Sequence, residues 1–82
     1  MGKLPTQLPW RRFVAILKSL GYQETKSKGG SARSFYNPER DPDLVTFHEP
    51  HGGDTIRQGT LSEYLRKLKL SRDDFNKHLN DC

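Results

Sequence analysis

The spacing of apolar residues changes twice along this chain, and this change constrains the fold more than any other feature. Near the amino terminus, apolar residues recur every three or four positions and form one helical face: Trp10, Phe13, Val14, Leu17 and Leu20. Pro9 suits the first turn of this predicted helix, and Gly21 offers a left-handed cap at its end. Residues 1–8 have no periodicity, so we expect a flexible N-terminal arm followed by one domain over residues 9–82.

Three strand-like segments occupy the middle of the chain: Tyr22–Thr25, Ser31–Tyr36 and Leu44–His48. The last is the clearest, because it is rich in β-branched and aromatic residues and places Val45 and Phe47 on one face. A loop containing Gly29 and Gly30 precedes the second segment, and a turn-rich loop over residues 37–43 precedes the third. The pattern therefore predicts antiparallel hairpins, with Phe35 facing inward.

Helical spacing returns in the last third of the chain. The sequence Thr60-Leu61-Ser62-Glu63 matches a capping box and predicts the start of a second helix, whose apolar face is Leu61, Tyr64, Leu65 and Leu68. A short third helix is predicted from Ser71, with acidic residues near its positive end and apolar Phe75 and Leu79. The order α-β-β-β-α, with a short extra C-terminal helix, predicts an α+β fold in which both main helices cover one face of a three-stranded antiparallel sheet.

Charge is distributed unevenly between the two halves of the chain. Residues 1–40 carry eight Lys/Arg and two Glu, a net of +6, whereas residues 41–82 carry six Lys/Arg and eight Asp/Glu, a net of −2. A basic half beside a mildly acidic half favours a polyanionic or acidic partner on one side of the molecule. A merely solvated surface is the alternative interpretation.

Length and composition argue against several classes of protein. A chain of 82 residues leaves little room for a cofactor cleft, so we expect no small-molecule cofactor. The only cysteine, Cys82, is the last residue, which gives neither a disulfide framework nor a zinc ribbon and fits a reducing cytoplasm. No apolar run approaches the ~20 residues needed to span a bilayer, so no membrane partner is predicted.

One turn concentrates the residues best suited to bind phosphate: Lys26, Lys28, Gly29, Gly30, Ser31 and Arg33. Glycines let the backbone approach closely, exposed amides and the serine can bond phosphate oxygens, and the cations neutralise them. An ordinary β-turn with lysines that favour solubility explains the same residues about equally well.

The histidines offer a second kind of chemistry. His48, His51 and Asp54 have a spacing that could hold a metal ion, but no strong fourth ligand accompanies them, so no metal site is predicted. His78 and Cys82 are four residues apart near a chain end that is expected to fray, which argues against a site there.

Several short motifs, taken in order, resemble the HicA (YcfA-like) mRNA interferase toxins of type II toxin–antitoxin systems. The resemblance covers roughly residues 10–79, and the order and spacing of the motifs are more specific than any one of them. The matching elements are Trp10 followed by Val14-x-x-Leu17-x-x-x-Gly21-Tyr22, Lys28-Gly29-Gly30-Ser31, Val45-Thr46-Phe47-His48-x-Pro50-His51, Gln58-Gly59-Thr60-Leu61 with Leu65-x-x-Leu68, and Ser71-x-Asp73-x-Phe75.

The resemblance implies a fold like that of double-stranded RNA-binding domains. It also implies that the protein is a metal-independent endoribonuclease that cuts translated mRNA, and that a HicB-like antitoxin protein neutralises it. It also implies that the position after the glycine-serine turn carries the family's single catalytic histidine, which here is Ala32. Candidate RNA contacts on the same resemblance are Lys26, Lys28, Gly29, Gly30, Ser31, Arg33 and His51, with Arg11 or Arg12 as a further contact.

An alanine at this position predicts loss of cleavage. Attack by the RNA 2′-hydroxyl needs a base and an acid; an imidazole with a pKa near ~6.5 can act as either, and a methyl group as neither. Ala32 is either a deliberate substitution, the interpretation we favour because an active toxin harms its producer, or a natural variant that survives as a binding module. A non-catalytic RNA-binding module, a protein-interaction domain and a metal-dependent nuclease built on His48, His51 and Asp54 remain as alternatives.

Overall fold

The computed structural model describes residues 4–25, 30, 32–50 and 55–81. The elements along the chain are β1 (Gln7–Pro9), α1 (Trp10–Ser19), β2 (Gln23–Thr25), β3 (Ala32–Tyr36), β4 (Leu44–His48), β5 (Thr55–Arg57), α2 (Gln58–Leu68) and α3 (Arg72–Asp81). The predicted α+β fold, with its α-β-β-β-α order resembling a double-stranded RNA-binding domain and its extra C-terminal helix, is confirmed. Two short strands, β1 and β5, were not predicted.

The main sheet is antiparallel and has the strand order β2-β3-β4. Its hairpin register pairs Phe35 with Val45 and places Ala32 opposite His48. Strands β3 and β4 are joined by the predicted loop, where the Asn37 amide donates to the Asp43 carbonyl at 2.7 Å. The sheet is thus closed at one end by this loop, while the start of β3 and the end of β4 lie together at the other.

Both main helices pack on one face of this sheet, as predicted. Phe13 of α1 contacts Phe47 of β4 with ring centroids 5.1 Å apart, and Tyr64 of α2 lies 4.6 Å from the same Phe47 ring. Because side chains alternate along a strand, burial of Phe35, Val45 and Phe47 leaves their neighbours on the opposite face, which we call the open face. On that face the paired residues Tyr36 and Leu44 are 44% and 55% exposed.

The amino-terminal segment differs from its prediction. We expected residues 1–8 to form a flexible arm, but Leu4 and Leu8 are buried in the core and β1 pairs antiparallel with β5. Two leucines four residues apart, with a proline between them, are too few to establish a helical or alternating pattern. Their burial depends instead on contacts with distant parts of the chain.

The predicted end of α1 is confirmed, whereas the predicted start of α2 is wrong. Gly21 has a φ of +95° and the Tyr22 amide donates to the Leu17 carbonyl at 3.0 Å, as in a Schellman cap. Helix α2 begins at Gln58 rather than near Thr60, and no side chain caps it. The Gln58 amide instead donates to the Thr6 carbonyl at 3.0 Å, so pairing of β1 with β5 replaces the predicted capping box.

Helix α3 begins at Arg72, where the Ser71 hydroxyl accepts a hydrogen bond from the Asp74 amide at 3.1 Å. It packs against α1, with Phe75 fully buried, and Arg12 donates to the Leu79 carbonyl at 3.0 Å. Within the part of the chain that the structure describes, no helix is both long and apolar enough to cross a membrane.

Candidate functional site

Ala32 is the first residue of β3 and is half-buried. Because Phe35 faces the helices, alternation places Ala32 and Ser34 on the open face of the sheet. The open face also carries Thr46 and His48 from β4, and both are exposed. A side chain at position 32 would therefore face solvent beside polar groups of the neighbouring strand.

Ala32 and His48 form a cross-strand pair of the type in which side chains approach most closely. Hydrogen-bonded and non-hydrogen-bonded pairs alternate along an antiparallel hairpin. Since the Asn37 amide donates to its partner Asp43, counting back along the register makes Ala32 and His48 a non-hydrogen-bonded pair. The His48 carbonyl accordingly accepts a hydrogen bond from outside the hairpin, donated by the Tyr64 hydroxyl at 3.0 Å.

The next pair of the same type shows how close such side chains come. Ser34 and Thr46 lie two residues further along each strand, and their hydroxyl oxygens are 2.9 Å apart in a hydrogen bond. The pair formed by Ala32 and His48 has the same orientation on the same face. A side chain longer than a methyl group at position 32 would consequently reach the imidazole of His48.

Arg33 points to the other face of the sheet, where two carboxylates hold it. Its guanidinium lies 3.2 Å from Glu49 and 3.9 Å from Glu24; Arg33 and Glu49 are about one-third exposed, and Glu24 is 43% exposed. The same guanidinium donates to the carbonyls of Gly30 at 2.9 Å and of Ala32 at 3.1 Å. Arg33 thus connects β2, β4 and the turn that precedes β3, which fixes the backbone at Ala32.

A shallow groove of about 410 Å³ lies between α1 and Arg33. Its lining includes Arg11 and Lys18, which are both exposed. Arg12 is turned toward α3, where it donates to the Leu79 carbonyl. Of the two arginines considered as a further RNA contact, Arg11 is therefore the one that lies beside Arg33.

A second cleft, of about 450 Å³, lies between the end of β4 and the start of α2. Its lining includes His48, Arg57, Thr60 and Tyr64. Burial raises the pKa of Tyr64 above its ordinary 10.0, and the nearby charge of Glu63 adds to this shift. The neutral hydroxyl of Tyr64 therefore remains a donor that fixes the end of β4.

The model of the family described as HicA toxin of bacterial toxin-antitoxin matches residues 10–70, which is most of the chain. The chain belongs to the HicA toxin family. No match was found among curated proteins or among solved structures. Membership of the HicA family implies the toxin role in a toxin–antitoxin pair, with an antitoxin partner and an RNA substrate.

Few of the RNA-contact residues predicted from the HicA resemblance fall within the described residues. Gly30 is exposed and has a φ of +71°, a left-handed conformation that glycine adopts without strain. Arg33 follows Ala32 in sequence, but its side chain lies on the opposite face of the sheet. The remaining predicted contacts lie outside the described residues and stay predictions: Lys26, Lys28, Gly29, Ser31 and His51.

The possible metal site of His48, His51 and Asp54 stays untested, because only His48 is described. Among the described residues no three acidic, histidine or cysteine side chains cluster to hold an ion. Sequence reasoning missed the position of His48 opposite Ala32. The signal was present in the hairpin: pairing residues symmetrically outward from the loop at 37–43 brings position 32 opposite position 48.

Proposed function

We propose that this HicA family member is an mRNA-cleaving toxin whose nuclease site lies at the start of β3, and that it is inactive because Ala32 occupies the catalytic position. The observation that supports the proposal most is the orientation of Ala32. Its side chain is on the open face of the sheet, beside an exposed His48, where a histidine would be accessible to RNA.

The proposed reaction needs no metal ion. The 2′-hydroxyl of RNA attacks the adjacent phosphate, so one group must remove a proton and another must protonate the leaving oxygen. A methyl group at position 32 can do neither. Loss of one acid–base group typically slows a reaction by ~10²–10⁴, which accounts for the inactivity proposed here.

The proposed RNA-binding surface centres on the turn that precedes β3. Gly30 is exposed in a left-handed turn, so a phosphate can approach its backbone. Lys26, Lys28, Gly29, Ser31 and His51, which lie outside the described residues, would add further contacts, and Arg11 and Lys18 carry positive charge on the side of the sheet where Arg33 lies. We assign Arg33 primarily to holding the turn, since Glu24 and Glu49 already neutralise it.

The proposed protein partner is a HicB-like antitoxin. The amino-terminal half of the chain carries a net charge of +6, so an antitoxin with an acidic surface could cover the same residues that bind RNA. Acidic groups of the antitoxin would pair with cations such as Lys28. Binding of RNA and of antitoxin would then be mutually exclusive.

The test is to compare Ala32→His with the unsubstituted chain, each incubated with a defined mRNA in EDTA. We expect only the histidine variant to cut. Ala15→His is the matched control, because Ala15 is an exposed alanine on α1 that lines the groove beside Arg33, on the side of the sheet opposite Ala32. Equal cutting by all three proteins, or cutting by the Ala15→His variant, would contradict the assignment of position 32.

A non-catalytic RNA-binding module is the second candidate, and the presence of Ala32 favours it. It predicts that the chain binds RNA with an affinity that falls with salt, with a logarithmic slope of about 0.7 per phosphate contacted. It also predicts that Ala32→His binds RNA equally well and does not cut. RNA binding without cutting by the histidine variant would therefore replace the nuclease proposal with this one.

A further inference from the structure

We propose that His48 is a second catalytic residue of this site, the acid–base partner of the group at position 32. The inference rests on the proposed function, because it assigns a role in the same cleavage reaction. It also goes beyond that function, which names only the group at position 32 and leaves its acid–base partner unassigned.

The inference depends on the cross-strand pair of Ala32 and His48. Ala32 and His48 are directly opposite in a non-hydrogen-bonded pair, for which Cα atoms are about 4.5 Å apart and side chains are in contact. The neighbouring pair of Ser34 and Thr46, with hydroxyl oxygens at 2.9 Å, has the same orientation. Two imidazoles at positions 32 and 48 would lie side by side and could reach one phosphate from two directions.

The His48 imidazole is also free of any structural role in the described part of the chain. It is exposed, and its ring forms no hydrogen bond with a described residue, although its backbone carbonyl accepts one from Tyr64. His78 is different, because its Nδ1 lies 3.1 Å from the Ser19 hydroxyl and links α3 to α1. An exposed, unengaged imidazole beside the proposed catalytic position is available to contact substrate.

Two imidazoles, one neutral and one protonated, account for both proton transfers of the cleavage reaction. The neutral one takes the proton of the 2′-hydroxyl, whose oxygen then forms a bond to phosphorus. The bond between phosphorus and the 5′-oxygen breaks, and the protonated imidazole gives its proton to that oxygen. The products are a 2′,3′-cyclic phosphate and a 5′-hydroxyl, and the two histidines end with their protonation states exchanged.

The groups around His48 suit an RNA substrate. The cleft that begins at His48 contains Arg57, an exposed cation positioned to attract a phosphate of the bound strand. The other ionisable groups lining this cleft are Glu49, which is paired with Arg33, and Tyr64, whose raised pKa keeps it neutral. Neither Glu49 nor Tyr64 adds a free negative charge that would repel the RNA backbone.

The test measures cleavage of one RNA in EDTA by Ala32→His and by the same variant carrying His48→Ala. We expect the second change to lower kcat/KM by about 10²–10⁴. The dependence of kcat/KM on pH should change from a bell to a single limb, because one of two acid–base groups is lost. Added imidazole should restore part of the rate, which a structural role of His48 would not allow. Ala32→His with His78→Gln is the matched control and should cut normally.

The outcomes separate the two proposals. If Ala32→His cuts and His48→Ala leaves its rate and bell-shaped profile unchanged, the role of His48 is overturned while the nuclease assignment stands. If Ala32→His does not cut, both are overturned.

A second measurement tests the geometry without activity. In a Cys82→Ser background, a variant carrying Ala32→Cys and His48→Cys should form a disulfide on mild oxidation, since bridges need Cα atoms within about 7 Å. Failure to form the bridge in the folded protein would overturn the juxtaposition on which the inference depends.

Discussion

Replacing Gly21 by alanine is expected to destabilise the protein far more than replacing the other glycines of the described segments. Gly21 has a φ of +95°, and a left-handed conformation costs a residue with a Cβ atom about 1–2 kcal/mol. The added Cβ would also lie 2.7 Å from the Asn37 side-chain nitrogen, which must then move. That nitrogen donates to the Leu20 carbonyl, and the Asn37 oxygen accepts from the Glu39 amide.

The magnitude follows from these contacts. Loss of one or both Asn37 hydrogen bonds, at about 1 kcal/mol each, raises the total to roughly 2–4 kcal/mol. For a domain of this size that corresponds to a fall in Tm of roughly 10–25 °C. Urea unfolding followed by the fluorescence of Trp10, the only tryptophan, measures the free energy of unfolding directly.

Two other glycines serve as controls that separate the backbone strain at Gly21 from the clash with Asn37. Gly30 has a φ of +71° but no atom within 4 Å of an added Cβ, so Gly30→Ala should cost only the backbone strain, about 1–2 kcal/mol. Gly59 lies in α2 with open space around it, so Gly59→Ala should stabilise the protein by up to about 1 kcal/mol. A Gly21→Ala variant no less stable than Gly30→Ala would refute the role assigned to Asn37.

Two further predictions concern residues that hold the strand ends of the proposed site in place. Tyr64→Phe should lower the free energy of unfolding by about 1 kcal/mol at neutral pH, because the bond to the His48 carbonyl is lost. Since burial raises the folded pKa of Tyr64, the stability that its hydroxyl contributes is present below pH 10 and is lost as pH rises through the folded pKa. The difference in unfolding free energy between wild type and Tyr64→Phe, measured by urea melts, should therefore shrink above pH 10. A difference that stays constant with pH would contradict this. Arg33→Ala should lower the free energy of unfolding by roughly 1–2 kcal/mol, with Glu49→Gln costing more than Glu24→Gln because Glu49 is closer. If Arg33 positions the turn, its removal should leave the salt slope of RNA binding unchanged; a fall of about 0.7 would show that it binds a phosphate.

The elements that the sequence predicted well are those with a repeated local pattern. Helix α1 repeats apolar residues at helical spacing and ends at a glycine, and β4 alternates buried Val45 and Phe47 with exposed neighbours. In both segments the pattern repeats over the whole length, so packing against the rest of the chain does not change the secondary structure that it predicts. The turn at residues 37–43 is likewise predictable from its own residues, because Asn, Pro and Asp favour turn conformations.

The elements that the sequence did not predict depend on distant partners. Strand β1 is three residues long and is defined by pairing with β5, nearly fifty residues later, and the same pairing sets the start of α2. The candidate site shows the same division. Ala32 was singled out by motif order, whereas its pairing with His48 follows from hairpin register. The ion pairs of Arg33 with two carboxylates follow from side-chain packing between residues that are distant in sequence.

The most direct test of the proposed nuclease site is to identify the RNA ends produced by Ala32→His and by the unsubstituted chain, both in EDTA. We expect fragments with 2′,3′-cyclic phosphate and 5′-hydroxyl ends from the histidine variant and intact RNA from the unsubstituted chain. Equal fragments from both proteins, or no fragments from the variant although it folds and binds RNA, would contradict the proposed nuclease site.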